Sequence, residues 1–151
     1  MRARKSWRQK LTQERDLPKT EPIPTRMQSR WGRGTMVVPS PREVDELIRT
    51  VPKGKVVRTT ELRTALAKRH HTDIACPLTT GLFAVVAAHA ALESKDNTPW
   101  WRVLKLHGEL NPKFPGGVAT QRALLEQEGH VVDRIGMDYV VRGFEMSLLD
   151  L

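Results

Sequence analysis

Eleven consecutive residues, Leu82-Phe83-Ala84-Val85-Val86-Ala87-Ala88-His89-Ala90-Ala91-Leu92, are apolar on nearly every side of a helical wheel. A helix of this kind has no wet face. It is buried on most sides, or another backbone approaches it closely along its alanines. Pro77 suits the first turn, so the helix is expected from Pro77 to about Glu93. The apolar run is about half the length that spans a bilayer. The chain therefore reads as a soluble domain built around this helix, with no membrane partner. The N-terminus is polar far past Met1, so no secretory signal is expected.

Three further helices are legible around it. Ser40-Pro41-Arg42-Glu43 combines a capping box with proline at the first helical position. Val44, Leu47, Ile48 and Val51 then keep the i, i+3, i+4, i+7 spacing until Pro52 and Gly54. Lys55-Val56-Val57 is a short extended run. After it, Thr59 or Thr60 is expected to cap a second helix, with Leu62, Ala65 and Leu66 inward, and His70-His71-Thr72-Asp73 breaks that helix. A fourth helix runs from Val118 to Glu128, with Gly129 behind it. Two helices joined by a turn after a short strand suggest a helix-turn-helix. Arg102–Lys105, the His107-Gly108 turn and Glu109-Leu110 look like a short ribbon, a wing. Val131–Asp133 and Tyr139–Val141 flank a turn at Gly136, a terminal hairpin. The fold class expected is α+β, mostly α.

Charge divides the chain. Residues 1–35 hold ten Lys/Arg and three Asp/Glu, and the remainder fifteen and fourteen. We expect two parts: a flexible, extended basic arm over 1–35 and a near-neutral domain over 36–151. A short helix around Ser6–Arg15 is conceivable within the arm. Trp7 and Trp31 either pin the arm to the domain, the plainer reading, or stack on bases. A strongly basic chain points to a polyanion. One cysteine, Cys76, excludes an internal disulfide and fits a reducing compartment, so a cytoplasmic protein is expected, nucleoid-associated if it binds DNA.

Four ordered blocks resemble a known family. Val51-Pro52-Lys53-Gly54-Lys55-Val56-Val57 before a helix is similar to the strand-to-helix passage of alkylguanine-DNA alkyltransferases. Pro99-Trp100-Trp101-Arg102-Val103 resembles their Pro-Cys-His-Arg-Val box. Pro115-Gly116-Gly117 and Ala123-Leu124-Leu125-Glu126-Gln127-Glu128-Gly129 resemble the loop and helix downstream. Together the blocks cover roughly residues 40–130. The resemblance implies a winged helix-turn-helix whose second helix lies in the minor groove, approached closely through Ala84, Ala87, Ala88 and Ala91. It implies a pocket beside the box for an extrahelical alkylguanine.

The departures bear on chemistry. Alkyl transfer needs a thiolate activated by histidine, and the resemblance puts Trp100 and Trp101 at those two positions. Indole is neither nucleophile nor base at neutral pH, so no catalytic residue is expected. Thr59 falls where the family has a tyrosine, and Phe83 near its intercalating arginine; an apolar wedge also opens base steps. The match is nearer to the alkyltransferase-like branch, in which tryptophan replaces the cysteine, and which binds alkylated DNA and flags it for excision repair.

The resulting expectation is a non-catalytic, monomeric nucleic-acid-binding protein. Duplex DNA is the favoured partner, with RNA or the ribosome as the alternative, repair proteins as further partners, and an active alkyltransferase acting through Cys76 as the remote one. Thr59, Thr60, Thr79, Thr80 and Phe83 are expected near the groove. Arg102, Lys105 and, in the arm, Arg2, Arg4, Lys5, Arg8 and Lys10 are expected on phosphates. Trp100, Trp101, Gly116 and Gly117 are expected around a base. Five neutralised phosphates correspond to a log K against log salt slope of about −4 to −5. No cofactor or metal is expected. His70, His71 and Asp73 lack ordered ligand spacing and read as exposed loop residues; His89 reads as a satisfied core histidine, and Glu128 as a structural hydrogen-bond partner.

Overall fold

The computed structural model describes residues 4–13 and 16–151. In chain order the elements are α1 (Trp7–Thr12), β1 (Lys19–Pro22), α2 (Gln28–Trp31), β2 (Thr35–Val38), α3 (Pro41–Arg49), β3 (Val57–Arg58) and α4 (Thr59–His70). They continue with β4 (Ile74–Ala75), α5 (Pro77–Glu93), β5 (Val103–Leu104), α6 (Gly117–Gln127), β6 (Val132–Ile135) and β7 (Asp138–Val141).

α5 is the hub. Ala87, Ala88 and Ala90 are fully buried, and α1, α3 and α4 pack around them. Methyl-sized side chains let these helices come close without leaving voids. α3 starts as the sequence suggests. The Glu43 amide donates to Ser40 Oγ (3.2 Å) and the Ser40 amide to the Glu43 carboxylate (3.0 Å). Val44, Ile48, Leu62, Leu66 and Trp100 complete this cluster. A second cluster, of Val56, Leu104, Leu110, Leu125, Val132, Val141 and Phe144, holds α6 against the C-terminal hairpin.

Three small sheets tie the helices together. β3 and β5 pair in parallel, Val57 opposite Val103, which brings the start of α4 beside the tryptophan pair. β6 and β7 form the expected hairpin, Val132 opposite Val141. β2 lies between β1 (antiparallel) and β4 (parallel).

Several sequence expectations need correction. Neither Thr59 nor Thr60 caps α4. The N-cap is Arg58, whose amide donates to Glu61 Oε1 (3.2 Å), so the carboxylate three residues on does the work expected of a hydroxyl. The wing turn is present where expected, and it pairs further with the C-terminal hairpin. Lys105 and Glu109 close a tight turn (2.9 Å), and its second arm is stitched to β7 through the Leu110 amide and Tyr139 carbonyl (2.8 Å). Gly108 at that turn has φ +81°, and a Cβ there would stand 2.3 Å from the Phe144 ring, so only glycine fits.

The N-terminal segment is not an extended arm. α1 carries its own capping box between Ser6 and Gln9. Its first amides, Trp7 and Arg8, donate to the Glu93 carboxylate at the end of α5 (3.2 and 3.3 Å), which sits where the helix dipole favours negative charge. Trp7 stacks on His89 (4.3 Å, 18°) and Leu11 is buried. Further on, β1 joins the sheet, and Ile23 is buried beside Met36 and Cys76, with Trp31 packed against them. Both tryptophans thus pin the segment to the domain. Its anchors follow no single period, because they dock in two separate clusters.

Candidate nucleic-acid interface

The helix-turn-helix is α4 and α5. His71 closes α4 in the left-handed conformation (φ 55°), and the turn passes through β4 into Pro77. The first turns of α5 break the pattern of the rest of the helix. Leu78 is 70% exposed and Leu82 is 56% exposed, one turn apart on the outer face. Gly81 lies between them, and a Cβ built on it would meet nothing within 4 Å. Glycine inside a helix costs roughly 0.5–1 kcal/mol relative to alanine. Nothing in the fold requires it here. A groove of about 440 Å³ runs beside this face, lined by Leu78, Gly81 and Leu82 together with Thr59, Lys105 and Lys113. Both lysines are exposed, and Leu106 on the wing turn is half exposed. The surface is apolar at its centre and cationic at its edge.

Of the expected groove residues, Thr59 and Lys105 stand on this surface. Thr60 lines a separate groove on α4 with Arg63 and Lys68. Thr80 is fully buried and donates its hydroxyl to the Cys76 carbonyl (2.8 Å), so it cannot meet a ligand. Thr79 is half-buried, its hydroxyl enclosed and unpaired. Phe83 turns from the exposed face toward a groove shared with Trp7 and Lys10.

Arg102 is also not where a phosphate contact is expected. Its guanidinium is 13% exposed and occupied by the Glu128 carboxylate (Nε–Oε1, 2.9 Å) and the Val51 carbonyl (2.7 Å). Burial is the largest influence and pushes the Glu128 carboxyl up, but the hydrogen bonds from Arg102 and Trp101, with the charges of Arg102 and His130, together hold the group below its ordinary value. Glu128 thus makes a structural pair. In the N-terminal segment, Arg4 and Lys5 are exposed, Arg8 pairs with Asp96 (3.3 Å), and Lys10 Nζ lies 4.2 Å from the Trp7 ring centroid. Arg2 lies outside the described residues.

The tryptophan pair does not line an open pocket. Trp100 is 5% exposed, its ring edge-on to Trp101 (5.8 Å, 85°) and to Phe114 (5.5 Å, 67°). Trp101 is half-buried between the two core clusters. Gly116 and Gly117, both at positive φ, shape the start of α6. The space expected to hold a base is filled by indole.

Cys76 is 6% exposed among Ile23 and Met36, a packing residue. His70 belongs to α4 and meets Glu43 of α3, and Asp73 accepts from the Thr35 amide (2.9 Å); neither is a free loop residue. His89 Nε2 donates to the Lys113 carbonyl (3.0 Å), half-buried under Trp7. Among the described residues no group of three His, Cys, Asp or Glu is placed to hold a metal ion, and no helix is long and apolar enough to cross a membrane. Sequence reasoning missed Leu78, Gly81, Leu82 and Lys113. The available signal was a glycine at helical spacing between two leucines on an otherwise alanine-rich helix.

Comparison with known proteins adds an ancestry to this geometry. The profile of the 6-O-methylguanine DNA methyltransferase DNA-binding domain matches residues 39–130. A crystal structure of S. pombe Atl1 in complex with damaged DNA containing O6-carboxymethylguanine is similar at a TM-score of 0.55 and 19% identity, over 74% of this chain and 94% of that one. A second crystal structure, of S. pombe ATL in complex with DNA, is similar at 0.56 and 16% identity, with the same coverage. At these identities the likeness is one of fold. No curated protein sequence matches.

Proposed function

Because the chain belongs to the 6-O-methylguanine DNA methyltransferase DNA-binding-domain family, we propose that it binds duplex DNA through the outer face of α5 and transfers no alkyl group. The observation that carries this is Gly81. A helix-interior glycine with open space before it, flanked by two exposed leucines and rimmed by lysines, suits close approach of a foreign backbone. Lys105 and Lys113 supply phosphate contacts, and Leu78 and Leu82 supply apolar contact or wedging in a groove. Alkyl transfer is disfavoured because the sole thiol, Cys76, is buried, and because the resemblance of Pro99–Val103 to the family's Pro-Cys-His-Arg-Val box puts Trp100 at the acceptor position. The likeness to a fold seen bound to DNA containing O6-carboxymethylguanine supports damaged DNA as the preferred target.

The test is a titration of labelled duplexes, unmodified and carrying an O6-alkylguanine, by fluorescence anisotropy across a salt series. Lys105→Ala and Lys113→Ala are each expected to weaken binding uniformly and to reduce the log–log salt slope by about 1. The alkylated duplex is expected to bind more tightly, with no mass gain on the protein. Absence of any duplex binding in dilute buffer, or a slope that neither lysine changes, would overturn the reading.

A further inference from the structure

Residues 23–34 form a loop between β1 and β2. It is closed at its neck by the Ile23 amide, which donates to the Gly34 carbonyl (2.9 Å), and by the pairing of Pro22 with Thr35. A loop with close ends and its own packed side chains holds a fixed surface. Met27 and Trp31 pack against the cluster of Ile23, Met36 and Cys76. Gly34 abuts Asp73 with no room for a Cβ, and the Thr35 amide donates to that carboxylate (2.9 Å). The loop is therefore fixed to the turn between α4 and α5.

What the loop presents to solvent is charge. Arg26, Arg30 and Arg33 are exposed. Among the described residues none of the three pairs with a carboxylate, whereas Arg8, Arg49, Arg58 and Arg102 each do. The sequence has no Asp or Glu between Glu21 and Glu43. The other exposed residues of the loop, Thr25, Ser29, Gly32 and Gly34, add no large apolar group. Such a surface reads charge and little else. Guanidinium groups match phosphate with paired N–H donors, and phosphate contacts hold a protein on a duplex without reading its sequence. Position selects the phosphates. Cys76, which the loop packs against, directly precedes Pro77, and Pro77 lines the groove of Leu78 and Gly81. Asp73 lines the α4 groove together with Arg63 and Lys68, so that groove and the loop share a border. The loop precedes residue 39, where the family match begins, so it is this chain's addition to the matched domain.

We propose that Arg26, Arg30 and Arg33 form a second phosphate-binding surface, which holds the backbone of the DNA beside the α5 face. This rests on the DNA-binding reading above. The loop adds affinity and salt dependence, and it adds no preference for sequence or lesion.

The experiment titrates the full chain with a long duplex across a salt series, beside two triple variants in which Arg26, Arg30 and Arg33 are all changed to alanine or all to lysine. Three phosphates at about 0.9 each correspond to about 2.7 in the log–log slope. A fourfold rise in salt is thus expected to cost the native chain about 40 times more affinity than the alanine variant. The lysine variant keeps the charge and is expected to keep most of the slope. In a second measurement, iron–EDTA is attached to the Ser29→Cys variant, where the other thiol, Cys76, is buried, and is expected to cleave the bound DNA backbone. A slope that the alanine variant leaves unchanged, a lysine variant that loses as much slope as the alanine one, or no cleavage of bound duplex by the label would each overturn the loop contact while the α5 reading stands. A loop-dependent slope on duplex RNA with none on DNA would assign the loop to RNA and overturn the proposal too. Absence of any anisotropy change with duplex DNA overturns both readings. Should the alanine variant fail to fold, cleavage by the labelled chain decides.

Discussion

His130 follows α6 beside Glu128 and Arg102, with Nε2 enclosed and unpaired. Burial is the main influence on it and pushes its pKa down; Glu128 pulls the other way, and Arg102 adds to the lowering. The folded chain therefore holds His130 neutral where the unfolded chain protonates it. As pH falls below the ordinary value of 6.5, the unfolded state binds more protons, so the stability present above 6.5 is progressively lost. Chemical denaturation between pH 7.5 and 5 is expected to show this decline, and His130→Gln is expected to flatten it. An unchanged pH slope in that variant would mean other groups carry it. The Arg102–Glu128 pair was legible at this scale only as two polar residues of the family blocks. Their mutual capture needs residues 26 apart in sequence to meet, and composition carries no trace of that.

At the scale of the element, α5 shows how one helix divides its duties. Between Ala84 and Ala91 it is mostly core, and before that its outer face is open. The conflict between helix propensity and Gly81 gives a clean test. Gly81→Ala adds a methyl group into empty space, so the protein is expected to gain about 0.5–1 kcal/mol of stability. The same methyl stands in the way of a backbone lying on the helix, so affinity for duplex DNA is expected to fall. Thermal unfolding and anisotropy on one sample check both. A variant that is stabilised and binds normally would remove Gly81 from the interface. α3, α5, α6 and the C-terminal hairpin were readable from capping residues, proline, glycine and periodicity, because these signals are local. The pairing of the wing turn with β7 was not, since it depends on a partner supplied from elsewhere; the cap of α4 is local, but it is a carboxylate three residues on rather than the hydroxyl expected.

For the whole molecule, the described part of the basic N-terminal segment is a structural part packed onto the domain. Removing residues 1–35 takes away Leu11 and Ile23, each at 5% exposure or less, along with α1 and β1. At about 1.5–3 kcal/mol for each buried side chain, the shortened chain is expected to lose about 3–6 kcal/mol. Urea unfolding measures this, and an unmoved midpoint would return the segment to the status of an appendage. Sequence alone determined the helix-turn-helix, its all-apolar central helix, the presence of a single cysteine and the excess of positive charge. These follow from residue type and short-range spacing. Tertiary structure decided that the indoles are packing, that Arg102 is already paired, that the basic segment is folded, and that the open face belongs to Leu78, Gly81 and Leu82. Each of these turns on which distant side chain arrives to cover a group, and burial is a property of the assembled fold.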